Sequence, residues 1–102
     1  MEISASHQLY FSSTGTHEPL HGHNWIITVY CESETLDQDG MVVDFLEIKK
    51  KIHDYLDHGD MNELLPFNPT TENVAKWVHD QVPHCYKVEV KESENDIATY
   101  YE

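Results

Sequence analysis

Two histidines stand two apart in His21-Gly22-His23, inside a stretch rich in β-branched and aromatic residues. Side chains alternate faces along a strand, so both imidazoles leave the same face within reach of one ion. Such a pair is a moderately specific metal signal. His7 lies on the inward series of a neighbouring alternating stretch and is the best candidate for a third ligand. Three imidazoles with an open fourth position suit a catalytic zinc. Glu92 closes the even series Tyr86, Val88 and Val90 of a later stretch, which places a carboxylate on an otherwise apolar face. Burying that charge is costly unless hydrogen bonds or cations compensate. A ligand edge with two parallel N–H donors would do so bidentately; a fraying strand end would instead leave Glu92 solvated beside Ser93. In Leu56-Asp57-His58, the carboxylate could orient the ring as a proton relay. The same dipeptide also fits a polar helix end, with Asp60 and Asn62 as turn residues.

These groups need strands and helix ends to hold them. Residues 2 to 11 alternate, with Ile3, Ala5, His7, Leu9 and Phe11 on one face. Residues 21 to 33 form a second, longer strand. Asp44 with Glu47 has the form of a helix N-cap and capping-box partner, and Phe45, Ile48, Ile52, Tyr55 and Leu56 follow at helical spacing. Pro69, Thr70 and Thr71 open a second helix with Val74, Trp77, Val78 and Gln81 or Val82 along one side, and Pro83 stops it. A strand from His84 to Glu92, a turn over 93 to 96 and a closing strand from Ile97 to Tyr101 complete the order β-β-α-α-β-β. Two hairpins flanking two helices predict an α+β domain: one four-stranded antiparallel sheet with both helices on one face.

The 102 residues make a single domain, 1–102, close to the size at which one core is just adequate, so a partner or a metal is expected to add stability. Nineteen acidic residues face six lysines and no arginine, a formal charge of -13 that repels nucleic acid and anionic membrane surfaces. The N-terminus carries no basic and apolar leader pattern, and no run of 18 apolar residues occurs, which predicts a cytoplasmic protein. Cys31 and Cys85 form no CxxC pattern and read as small core residues. His53, His79 and His84 read as solvated and uninvolved.

In order, Ser4-Ala5-Ser6-His7, His21-Gly22-His23, Gly40-Met41-Val42-Val43-Asp44-Phe45, Leu56-Asp57-His58 with Met61-Asn62, Asn68-Pro69-Thr70-Thr71-Glu72-Asn73 and Lys91-Glu92-Ser93 resemble the 6-pyruvoyltetrahydropterin synthase and 6-carboxytetrahydropterin synthase family. The resemblance spans nearly the whole chain. It implies a T-fold subunit in a homohexamer of stacked trimers, with active sites between neighbouring subunits. It makes His7, His21 and His23 the zinc ligands, and Glu92 the anchor for the 2-amino-pyrimidinone edge of a pterin, with Thr70 and Thr71 nearby. It assigns Asp57 and His58 to the proton relay. The usual substrate is 7,8-dihydroneopterin triphosphate.

The family normally places a cysteine base four residues before the His-Gly-His pair, and here that position is His17. Cys31 is no substitute within one subunit, since eight strand residues, roughly 26 Å, separate it from His23. Glu18 stands three before His21. This resembles the branch with a Glu-x-x-His-Gly-His motif, whose members cleave the side chain to 6-hydroxymethyl-7,8-dihydropterin. The expected activity is therefore a zinc-dependent lyase of pterin metabolism, with Glu18 or His17 as base. The alternatives are a 6-carboxytetrahydropterin or 6-pyruvoyltetrahydropterin synthase using His17, and a non-catalytic zinc- and pterin-binding module. Without arginine, lysines, histidines or helix N-terminal amides would have to hold the phosphates.

Overall fold

A computed structural model describes residues 1–102. Seven strands, β1 (Glu2–His7), β2 (Tyr10–Phe11), β3 (Thr16–His17), β4 (His21–Cys31), β5 (Gly59–Asp60), β6 (Cys85–Ser93) and β7 (Asp96–Tyr101), alternate with three helical segments. The first, α1, begins as Phe45–Ile48, widens into a π-helical turn at Lys49–His53 and ends as Asp54–Leu56. The others are a single turn, α2 (Met61–Leu64), and α3 (Thr71–Gln81).

The main sheet has the order β5-β1-β4-β6-β7. It is antiparallel except at its edge, where β5 runs parallel to β1 through Ala5 and Ser6. The domain is α+β as expected, but the sheet gains this short fifth strand because the chain returns to the free edge of β1 directly after α1. Gly59 makes the return possible: a Cβ there would lie 2.6 Å from Leu64 Cδ1 and 3.2 Å from the Leu56 carbonyl oxygen. Both long helices cover one face. Ile3, Ala5, Trp25, Ile27, Val88 and Val90 of the sheet meet Ile48, Ile52, Leu56, Val74, Ala75 and Val78 of the helices in one core. No helix is long and apolar enough to cross a membrane.

Four local differences have physical causes. The expected first strand, 2 to 11, divides after His7 because side chains take over the pairing. Asn62 Oδ1 accepts from Gln8 N–H (2.7 Å) and its amide donates back to the Gln8 carbonyl (2.7 Å). Asn68 repeats this clamp on Tyr10 at 2.9 and 3.0 Å. Tyr10–Phe11 then pair with Thr16–His17 as a separate hairpin. In α1, Asp44 caps through the Leu46 amide (2.9 Å). Phe45 and Tyr55, expected inside, are exposed. Residues four apart overshoot a full α-helical turn by about 40°. The wider π-turn removes that overshoot, so Ile48, Ile52 and Leu56 stay in line and the other two face out.

In β6 the register slips between Tyr30 and Cys31, where Tyr30 pairs with Lys87 and Cys31 with Cys85. Tyr86 is therefore the extra residue of a bulge and lies on the surface beside the Tyr30 ring, 6.3 Å between centroids. It does not belong to the inward series with Val88 and Val90. His79, expected to be solvated, is largely covered, with its ring 4.9 Å from that of Tyr100.

Leu56 is fully buried between the helix and the sheet. Leu56→Ala is expected to lower the unfolding free energy by about 2–5 kcal/mol. Thr70 caps α3 by accepting from Asn73 N–H at 3.0 Å, and Thr70→Ala should cost only about 1 kcal/mol. Urea unfolding curves of the two variants beside the parent measure both effects.

Candidate metal centre and active site

His7 and His21 face one another across the β1–β4 ladder, and His23 follows on the same side, opposite Ala5. Alternation is what places all three rings on the helix-covered face. Trp25 forms the floor. Its indole N–H donates to the Ala5 carbonyl (3.1 Å), and its ring meets those of His7 and His23 edge-on at 4.8 and 5.6 Å.

Backbone carbonyls fix the tautomers. His7 Nδ1–H donates to the Pro69 carbonyl (2.9 Å), and His21 Nδ1–H to the Pro19 carbonyl (2.7 Å). A carbonyl can only accept, so each neutral ring keeps its proton on Nδ1 and presents a bare Nε2. These two Nε2 atoms lie 3.1 Å apart. Two lone pairs at that distance repel unless a proton or a metal cation lies between them. The second-nitrogen contacts are those that orient metal-ligating histidines. His23 Nε2 is buried without a hydrogen-bond partner, although Glu92 Oε1 is 2.8 Å away. Burial lowers the pKa of His23, against the opposing pull of Glu92, and favours the neutral ring a metal needs.

Glu92 completes the group. Its Oε1 lies 2.8 Å from His23 Nε2 and 3.7 Å from His7 Nε2, while Oε2 accepts from the Thr71 hydroxyl at 2.6 Å. One ligand atom from each of His7, His21, His23 and Glu92 lies within 4.8 Å of the others. Ligands of a tetrahedral zinc stand about 3.3 Å apart, from bonds of about 2.0–2.1 Å. The donor set and its spacing therefore fit a divalent metal. The sequence placed Glu92 on the correct face, but nothing in it brought the carboxylate this close to the histidines. Thr70 is occupied as a helix cap, so of the two threonines only Thr71 reaches Glu92.

The structure separates the two candidate bases. Glu18 Oε1 accepts from Leu9 N–H (3.2 Å) and lies 3.7 Å from His21 Nε2; the Glu18 amide in turn donates to the Leu9 carbonyl (3.0 Å). His17 is exposed on the small hairpin, its ring 4.9 Å from that of Tyr10, and contacts no member of the cluster. Cys31 sits at the far end of β4, and burial followed by its neighbour Cys85 pushes its pKa up to about 11, so it remains a thiol near neutrality.

Asp57 and His58 are not brought to the histidines within one chain. Asp57 Oδ1 accepts from Ser4 N–H (2.8 Å), which holds its carboxyl below the usual range. Ser4 is three residues from His7, about 10 Å along the strand. His58 adopts a left-handed backbone, φ 61°, at the end of α1, and its ring stands 84 % exposed, 3.3 Å from Asp57. His53, expected to be solvated and uninvolved, is half-buried and approaches the same carboxylate at 3.7 Å. A hollow of about 1280 Å³ lies away from the histidine cluster, lined chiefly by apolar residues such as Val29, Leu36, Met41 and Phe45, with His53 at its wall.

A five-stranded sheet carrying two long helices on one face, with a histidine cluster on its first two long strands, defines a T-fold domain with a group of side chains able to hold a metal. The profile of the family described as 6-pyruvoyl tetrahydropterin synthase matches residues 1–102. The 6-carboxy-5,6,7,8-tetrahydropterin synthase of Bacillus subtilis is 32% identical over 117 residues, covering 98% of this chain and 80% of its own. A dihydroneopterin monophosphate aldolase of Pyrococcus furiosus is 40% identical over 68 residues, covering 64% of this chain and 57% of its own. The solved 6-pyruvoyl tetrahydropterin synthase of Caenorhabditis elegans superposes with a TM-score of 0.73 at 25% identity, covering 100% of this chain and 91% of its own. The chain belongs to the 6-pyruvoyl tetrahydropterin synthase family.

Without metal, the lowered pKa of His23 makes stability pH-dependent. The unfolded ring takes up a proton near its ordinary value, about 6.5, before the folded ring does. Its contribution is thus complete above that pH and is lost as pH falls through the folded-state value. Urea midpoints in chelator between pH 5 and 8 should fall on the acid side for the parent and fall less for His23→Gln. Identical slopes would show that this ring is not the titrating group. Adding zinc at a free concentration 100-fold above its Kd should stabilise the folded protein by about 2.7 kcal/mol.

Proposed function

We propose that the protein is a zinc-dependent lyase that shortens the side chain of a 7,8-dihydroneopterin phosphate ester, yielding 6-hydroxymethyl-7,8-dihydropterin. The observation that carries this reading is Glu18 Oε1, 3.7 Å from His21 Nε2, with His17 turned away and Cys31 held as a thiol. A carboxylate beside the cluster suits removal of a proton from a side-chain hydroxyl. The aldolase named for the Pyrococcus relative is chemistry of this kind.

His7, His21 and His23 would hold the metal, which when bound supplies a Lewis acid that makes a substrate hydroxyl more acidic. Glu92 takes the 2-amino-pyrimidinone edge, and its link to Thr71 orients it. Glu18 removes the hydroxyl proton; the oxygen then forms a carbonyl as the neighbouring carbon–carbon bond breaks, the distal fragment leaving as a phosphorylated glycolaldehyde and the bond's electron pair passing into the ring C=N. The carbon left on the ring regains a proton from the Asp57–His58 relay. Because His58 is exposed and the pair stands apart from the cluster within one chain, the relay comes from a neighbouring copy in a ring assembly. Phe45 and Leu46, 81% and 65% exposed beside the apolar hollow, suit burial in such an assembly.

The Bacillus relative, aligned over 98% of this chain, favours one second reading, a 6-carboxytetrahydropterin synthase. Anaerobic incubation of the zinc-loaded protein with dihydroneopterin monophosphate and triphosphate, followed by mass analysis of the products, separates the two. The lyase reading expects hydroxymethyldihydropterin, a loss of about 10²–10⁴-fold in Glu18→Ala, and a change within a few-fold in His17→Ala. Carboxytetrahydropterin persisting in Glu18→Ala would transfer the role to the second reading. Glu18→Ala and His58→Ala proteins, unfolded together and reassembled, should recover activity in about a quarter of their sites if each site draws on two copies. No recovery would place the relay elsewhere.

A further inference from the structure

Two partners compete for the carboxylate of Glu92. Captured by a pterin edge, it offers both oxygens to two parallel N–H donors. In the protein alone neither oxygen is free: Oε2 accepts from the Thr71 hydroxyl at 2.6 Å, and Oε1 stands 2.8 Å from His23 Nε2 and 3.7 Å from His7 Nε2. The contact with His23 is not a hydrogen bond, because His23 Nε2 remains without a partner despite the distance. Oε1 instead stands as a fourth donor atom, within 4.8 Å of one nitrogen from each of the three imidazoles.

We propose that Glu92 is a metal ligand of the resting site and that the arriving pterin edge withdraws it, so that capturing the ring opens the coordination position the side chain needs. This rests on the pterin reading above. The exchange never leaves the carboxylate, with its side chain 18% exposed, buried without a compensating charge or donor, a state that would be strongly unfavourable. Thr71 serves as the pivot, since it sits in the first turn of α3, a helix fixed by the Thr70 cap, and holds Oε2 while Oε1 moves. Linkage then fixes a sign. A pterin with no side chain competes for Glu92 but gives the metal nothing in return, so it must lower metal affinity by the factor by which metal lowers its own affinity. An anchor that never touches the metal shows no such antagonism.

The test uses the full chain loaded with Co(II), whose visible absorption reports coordination, and 2-amino-4-oxopteridine, the pterin lacking a side chain. Co(II) affinity is read by chelator competition. Glu92→Gln keeps the side-chain size and the Thr71 hydrogen bond, and Glu92→Ala removes both. Each is expected to lower Co(II) affinity about tenfold or more and to change the absorption band. The side-chain-free pterin should shift the parent band and weaken Co(II) binding, and should leave the band of both variants unmoved. Equal Co(II) affinity and identical bands in all three proteins, with pterin binding lost only in the variants, would overturn the exchange and leave the pterin reading intact. Weakened Co(II) binding in the variants with no pterin binding by the parent would overturn both.

Discussion

The bare nitrogens of His7 and His21, held 3.1 Å apart by two carbonyls behind them, are the constraint around which this domain is built. Each imidazole would escape the repulsion by turning over, and each is prevented by its Nδ1–H contact, to Pro69 on one side and Pro19 on the other. Those acceptors lie just before α3 and just before β4, so the approach to a helix and the entry to a strand are both tied to the orientation of two rings. Trp25 packs edge-on against the rings of His7 and His23 from the remaining side.

The surrounding architecture delivers the remaining chemical groups to these rings. Asn62 and Asn68 replace a strand neighbour over residues 8 and 10, which ends β1 just after His7 and frees the following loop to carry Glu18 back beside His21. The Leu9–Glu18 pair of hydrogen bonds is the last clasp in that return. On the other side, β6 brings Glu92 up to the rings, with the bulge at Tyr86 leaving the inward register of Val88 and Val90 intact. Thr71 then ties the strand end to the first turn of α3. The π-turn in α1 keeps its apolar line on the core and delivers Asp57 to the backbone of Ser4, on the β5 side of β1 and three residues before His7. One chain thus carries the cluster and the Asp57–His58 pair as separate surfaces.

Much of this was legible from residue order. Period-two alternation placed His7, His21 and His23 on one face, because a strand has only two faces and the apolar neighbours identify the inner one. Helix ends were legible where a cap announced them: Asp44 and Thr70 both bond the amides of their first turns. The family motifs, matched over residues 1–102, agree with that pattern. What alternation could not give was any relation set by a side chain bonding to distant backbone. The clamps at Gln8 and Tyr10 join residues 54 and 58 apart, and no local period encodes them. The inward assignment of Phe45, Tyr55 and Tyr86 failed for a related reason: a π-turn and a bulge each insert a residue, and a strict period has no place for one.

The difference is sharpest at the two candidate bases. By itself the sequence determined that a histidine and a glutamate, His17 and Glu18, stand four and three residues before His21. Adjacent residues in extended chain point to opposite sides, so only one of them could face the rings, and spacing alone does not say which. Tertiary structure decided it, by pairing Thr16–His17 with the small hairpin and turning Glu18 inward onto Leu9 and His21. The three histidines on one face were written in the sequence because alternation is local; the convergence of Glu92 and Glu18 on those rings was not, because it depends on where three separate strands and a helix end come to rest against one another.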